Sequence, residues 1–156
     1  MKKFTLRLKT TWIIGVSLFL CAFSDPDNNE QYINFLQKTF ADHYDMDQER
    51  KLIKSFELNI TNNGFCRYKR YFINGKTEYF AFKISKIKDL DYFGTSVSGK
   101  LCIRTKSDDI IVQTYKDKGG DVDSMTTNVS IPMKNVEAED LNEIRDKFSR
   151  ITIQPQ

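Results

Sequence analysis

Asn74 and Gly75 stand between two runs dense in aromatic residues, and this dipeptide supplies the positive φ angles that a two-residue β-hairpin turn demands. Residues 65–73 and 76–84 are therefore expected to pair antiparallel, and whatever else folds must cover one face of that pair. With a two-residue loop, Phe72 opposes Thr77, Arg70 opposes Tyr79, Tyr68 opposes Ala81 and Cys66 opposes Lys83. The alternate face sets Phe65, Arg67, Lys69, Tyr71 and Ile73 against Ile84, Phe82, Phe80, Glu78 and Lys76. That second face holds more apolar bulk and is assigned to the core, with the stems of Arg67 and Lys69 laid along the rings and their charges at the rim. The less apolar face then presents Tyr68, Arg70, Tyr79 and Lys83 as the candidate binding set.

Charge draws attention to the same hairpin. Between Phe65 and Lys88 there are seven cations (Arg67, Lys69, Arg70, Lys76, Lys83, Lys86, Lys88) against one acid, Glu78. The start of the chain explains the rest of the balance. Lys2, Lys3, Arg7 and Lys9 precede an apolar run from Trp12 to Phe23, and Ala22 and Ser24 place small residues where a signal peptidase reads. Residues 1–24 are read as an export signal cut after Ser24, which leaves 25–156 as one globular domain in the periplasm or outside the cell. Retention as an uncleaved membrane anchor, or lipid attachment at Cys21, are the alternatives. A spanning helix needs about 20 apolar residues, and this run is shorter and broken by Gly15 and Ser17, so no stable membrane span is expected after signal removal. The leader holds four of the 24 Lys and Arg and none of the 21 Asp and Glu, so the remainder, with 20 against 21, is nearly neutral. Overall charge therefore gives no reason to expect a nucleic-acid partner.

Elsewhere the periodicity is mixed. Tyr32, Ile33, Leu36 and Phe40 recur at helical steps, predicting a helix over 29–42. Phe56, Leu58 and Ile60 alternate as a half-buried strand does, while residues 85–99 show no clean period. A strand over 100–106, turned at Ser107 and Asp108 into a second hairpin with 109–116, should point Leu101 and Ile103 one way and Cys102 the other. The run 117–121 reads as a turn, and Val129, Ile131 and Met133 mark a last strand. Leu141, Ile144 and Phe148, with acids before and cations after, mark a final helix over 137–150. The expected class is α+β: a mostly antiparallel sheet of about six strands with an N-terminal and a C-terminal helix packed on it. Strands followed by one helix is also the element order of a pleckstrin-homology-like barrel capped by its C-terminal helix, the alternative architecture. That likeness of order carries no function with it.

Chemistry-bearing residues are sparse. Histidine occurs once, as His43, which removes two-histidine metal sites. The acidic runs at Asp45, Asp47 and Glu49, and at Asp121 and Asp123, lack full calcium-loop spacing, so no metal and no cofactor are assigned. Cys66 and Cys102 remain as an even pair in a chain bound for an oxidising space, a candidate disulfide. Both are placed on the less apolar face of their strands, where one sheet would let them meet. The residue inventory favours a non-enzymatic binding or interaction module that uses the basic aromatic hairpin to take an anionic ligand or an acidic protein surface. A small carboxylate enzyme using Asp89 and Asp91 in the irregular 85–99 segment, or an assembly component of the cell envelope, are the competing classes.

Overall fold

Residues 28–49 and 52–151 are described by a computed structural model. The leader, its cleavage position and Cys21 lie outside the described residues. The apolar stripe of the first helix is real: α1 spans Asn28–His43 and buries Asn29, Ile33, Leu36 and Phe40 at steps of three and four. After it come β1 (Ile53–Ile60), β2 (Phe65–Phe72), β3 (Thr77–Lys83), a short 3₁₀ turn (Ile84–Lys86), β4 (Ile87–Gly94), β5 (Ser98–Thr105), β6 (Ile110–Tyr115), β7 (Asp123–Thr126) and β8 (Asn128–Lys134). The last element, α2 (Ala138–Arg150), starts where Asp140 accepts a 2.8 Å hydrogen bond from the Glu137 backbone N–H. It buries Ile144 and Phe148.

Among the described residues the class is α+β with a helix at each end, as expected, but the eight strands form two antiparallel sheets and do not close into a barrel. One sheet has five strands in the order β1-β2-β3-β6-β7, the other three in the order β4-β5-β8. The inward faces of both meet one apolar cluster that includes Leu36 and Phe40 of α1, Tyr68 and Phe82 of the larger sheet, Ile103 and Ile131 of the smaller, and Phe148 of α2. Phe40 and Phe148 join the two helices edge to face, with ring centres 6.1 Å apart.

Three expectations are corrected. The Asn-Gly turn sits where it should, but the loop has three residues, not two: Phe72 N–H donates to Lys76 O, Gly75 N–H donates to Phe72 O, and Gly75 takes φ +89°. This is the turn-plus-left-handed-residue connection of a three-residue hairpin. It slips the register by one, so Tyr71 faces Thr77, Arg70 faces Glu78 and Tyr68 faces Phe80. Phe80 and Phe82 point inward as assigned, but on β2 the inward residues are Cys66, Tyr68, Arg70 and Phe72, and Phe65, Arg67, Lys69 and Tyr71 turn outward.

The expected hairpin of 100–106 with 109–116 does not form. β5 is paired on both sides, by β4 and β8, while β6 pairs β3 and β7. Thr105 Oγ1 donates to Ser107 O and Asp109 N–H to the same carbonyl, a tight bend that sends the chain across the core to the other sheet. The segment 85–99, expected to be irregular, supplies β4 and the start of β5. A bulge between Ile87 and Asp89 shifts the alternation by one, so Ile87, Leu90 and Tyr92 all pack on the core out of step with a period of two.

Candidate ligand-binding face

Arg67, Lys69 and Tyr71 of β2 are each paired on both sides, which sorts the outer face of the five-stranded sheet into rows that cross the strands. One row reads Glu57, Lys69, Tyr79, Gln113, Asp123, from β1 to β7. A second reads Ser55, Tyr71, Thr77, Tyr115, and a third Asn59, Arg67, Ala81, Ile111, Met125. Polar and aromatic residues thus occupy the first two rows, and the third becomes apolar after Arg67.

Cations on this face rest on rings. The Arg67 guanidinium carbon lies 5.2 Å from the centre of the Phe65 ring, and Lys69 Nζ lies 5.8 Å from the centre of the Tyr79 ring. Lys69 is also 3.9 Å from Glu57 Oε2, a pair loose enough to remain available to a ligand. Tyrosine hydroxyls are held by neighbours. Tyr115 donates to Gln113 Oε1 at 2.9 Å, and Gln113 Nε2 donates to Asp123 Oδ1 at 3.3 Å. Burial, followed by a hydrogen bond to the Glu57 carboxylate, raises the Tyr71 phenol above its ordinary pKa and keeps it neutral. Thr77, small between Tyr71 and Tyr115, leaves a groove of about 630 Å³ bounded by Arg67, Lys69, Tyr71, Tyr79, Gln113 and Tyr115. Arg67 and Lys69 form its far wall and the near wall of a second groove of about 360 Å³ that reaches Glu57 and Asn59.

The set Tyr68, Arg70, Tyr79 and Lys83 is not brought together. Tyr79 and Lys83 lie on the outer side, while Tyr68 is fully enclosed at 0% exposure and Arg70 faces inward. Tyr68 and Tyr44 share a buried hydrogen bond between their hydroxyls at 2.7 Å, and the Tyr44 ring stacks on Phe56 with centres 3.5 Å apart. Arg70 donates to Glu49 Oε1 at 3.1 Å and to Glu78 Oε2, with its guanidinium within 5.9 Å of the ring centres of Tyr68, Phe72 and Phe80. Lys76 extends this network through Glu78 at 3.0 Å and Asp117 at 2.7 Å. The inner cations are spent on structure. Arg67, Lys69, Tyr71, Thr77, Gln113 and Tyr115 were the residues to find, and the three-residue reading of the Asn-Gly loop is the signal that brings Arg67 and Lys69 to the surface.

The remaining candidates are occupied by local structure. Cys66 and Cys102 are free thiols. The proposed bridge fails because Cys66 points into the core from the five-stranded sheet, while Cys102 lies on β5 of the other sheet between inward-facing Leu101 and Ile103. Burial pushes the Cys66 thiol up to about 12. His43 Nδ1 is 3.1 Å from Lys134 O, a position that suits a donated N–H. Asp45 accepts from Ser98 Oγ at 2.9 Å and from the Asp47 N–H at 2.9 Å; burial opposes its charge, but these bonds outweigh it and hold the carboxyl below its ordinary pKa. Among the described residues no group of three or more His, Cys, Asp or Glu is placed to hold a metal ion, and no helix is long and apolar enough to cross a membrane.

Asp89 and Asp91, the carboxylates weighed for catalysis, line a cleft of about 430 Å³ between β4 and the C-terminal half of α2. Asp91 is bound by Arg104, Asp89 lies 3.6 Å from Lys88 Nζ, and Arg145, the cleft's other charge, donates to Leu90 O at 3.0 Å. The outer sheet face differs from this cleft in setting its cations on aromatic rings. Comparison with protein-family models, curated proteins and solved structures finds no match to this chain.

Proposed function

We propose that this chain is an exported, non-enzymatic binding module that takes an anionic ligand on the outer face of its five-stranded sheet. One observation carries the reading: Arg67 and Lys69 lie on solvent-facing rings, Phe65 and Tyr79, beside a groove walled by Tyr71 and Tyr115. A cation stacked on a ring loses less freedom on binding than one on a loose surface side chain, and the ring beside it supplies apolar contact for the same ligand. The leader-like residues 1–24 support export, and seven cations against one acid between Phe65 and Lys88 support an anionic ligand.

Biolayer interferometry of the protein, expressed from the full-length sequence, against immobilised polygalacturonate, dextran sulfate and polyglutamate tests the reading. Binding to at least one polyanion should fall at least tenfold in Arg67→Glu with Lys69→Glu, and should weaken from 50 to 300 mM salt as screening shortens the reach of the patch. Equal binding by the parent and the charge-reversed protein would refute it.

A further inference from the structure

The geometry points to an acidic oligosaccharide as the ligand of this face, an inference that rests on the binding reading above and narrows it. The row Glu57, Lys69, Tyr79, Gln113, Asp123 crosses five adjacent strands. Neighbouring strands stand about 4.8 Å apart, so the row extends roughly 19 Å across the sheet. A pyranose ring is about as long as one strand spacing, and a chain of sugars laid along the row meets a different side chain at each unit.

The order of those side chains matches sugar chemistry. Tyr79 offers a ring to the C–H face of a sugar, and Gln113, beyond its bonds to Tyr115 and Asp123, keeps one amide N–H and one carbonyl lone pair for hydroxyls. Glu57 and Asp123 at the two ends accept from hydroxyls, and Lys69, with Arg67 two residues away on the same strand, receives a carboxylate or sulfate. Beside this row, Thr77 lies between Tyr71 and Tyr115, leaving room for a ring between two aromatic walls.

Other anions fit less well. A compact phosphate is held by donors that converge on one point, usually including backbone N–H groups. Here the N–H groups of β2 and β3 are committed to ladders on both sides, the two cations are spaced along a strand, and Glu57 stands 3.9 Å from Lys69. An extended peptide adds to a sheet at a free edge, here β1 or β7, whereas Lys69, Tyr79 and Gln113 lie on the interior strands β2, β3 and β6. A polymer rich in hydroxyls and carrying carboxylates along its length meets the two cations with its charges and Glu57, Gln113 and Asp123 with its hydroxyls.

Isothermal titration with tetragalacturonate, maltotetraose, tripolyphosphate and a tetraglutamate peptide tests this, using the protein expressed from the full-length sequence. Tetragalacturonate should bind at least fivefold more tightly than each of the other three. Tyr79→Ala should weaken it at least fivefold while Tyr79→Phe, which keeps the ring, should not, with thermal melting confirming that both variants fold. If tetraglutamate or tripolyphosphate binds as tightly as the sugar and loses affinity in Arg67→Glu with Lys69→Glu, the oligosaccharide assignment fails and the binding reading survives. If none of the four binds and the charge-reversed protein behaves like the parent toward polyanions, both fail.

Discussion

The two faces of β2 carry nearly the same chemistry and do opposite things with it. Inward, Arg70 lies among the rings of Tyr68, Phe72 and Phe80 and is tied to Glu49 and Glu78. Outward, Arg67 and Lys69 lie over Phe65 and Tyr79, and Lys69 has Glu57 at 3.9 Å. Cation and ring recur on both sides of one eight-residue strand. What separates them is the number of acids within reach and the presence of water: two carboxylates and a packed core turn the inner cation into structure, and solvent leaves the outer ones open to a partner.

Arg70→Ala is expected to have the largest effect. It leaves Glu49 and Glu78, whose side chains are only 20% and 15% exposed, without their shared partner. Because some water still reaches them, the cost should lie somewhat below that of breaking a fully buried pair, at about 2–4 kcal/mol in urea unfolding. A loss below about 1 kcal/mol would mean that the inner network does not hold the sheet.

Tyr68→Phe should come next, at about 1–2 kcal/mol, because it removes the buried hydroxyl that bonds to Tyr44 and leaves the partner unsatisfied. The same pair sets an alkaline limit. Burial pushes Tyr44 up to about 12 and raises Tyr68 as well, so both stay protonated in the folded protein after an unfolded tyrosine has ionised. The sign follows from proton linkage: their contribution is intact below about pH 10, where unfolded tyrosine titrates, and is lost as pH rises toward the folded values. Unfolding free energy measured from pH 9 to 12 should fall less steeply in Tyr68→Phe than in the parent. Equal slopes would show that the pair does not govern the decline.

The outer face should give the smallest change in stability. Arg67→Ala together with Lys69→Ala should alter unfolding free energy by no more than about 0.5 kcal/mol, as expected for solvated cations on a sheet surface, in the same urea titration. A loss comparable to that of Arg70→Ala would erase the contrast between the two faces and show that the outer cations also serve the fold.

Much of the fold was legible in particular residues. Ile33, Leu36 and Phe40 announced α1, and Leu141, Ile144 and Phe148 announced α2, because a helix with one buried side repeats every three to four residues. Val129, Ile131 and Met133 marked β8. The strands that escaped notice have identifiable causes. The bulge near Ile87 put β4 out of phase with itself, and β7 is a short edge strand whose residues are largely exposed and leave little apolar alternation to read. Pairing partners were harder still, since nothing local distinguishes a bend that closes a hairpin from one that carries β5 across the core to β6.

At the candidate site, the surplus of cations and rings between Phe65 and Lys88 was visible from composition, whereas the identity of the surface members was not. Local rules located the helices, the Asn-Gly turn and the amphipathic strands, because each depends on neighbours a few positions away. The choice of Arg67 and Lys69 over Tyr68 and Arg70 for the surface came from elsewhere. It turned on one extra residue in the hairpin loop, and on Glu49 and a core of helices and second-sheet strands that could accept Cys66, Tyr68 and a paired Arg70. Both faces of β2 were chemically fit to be buried, so only the partners assembled from distant parts of the chain could break the tie.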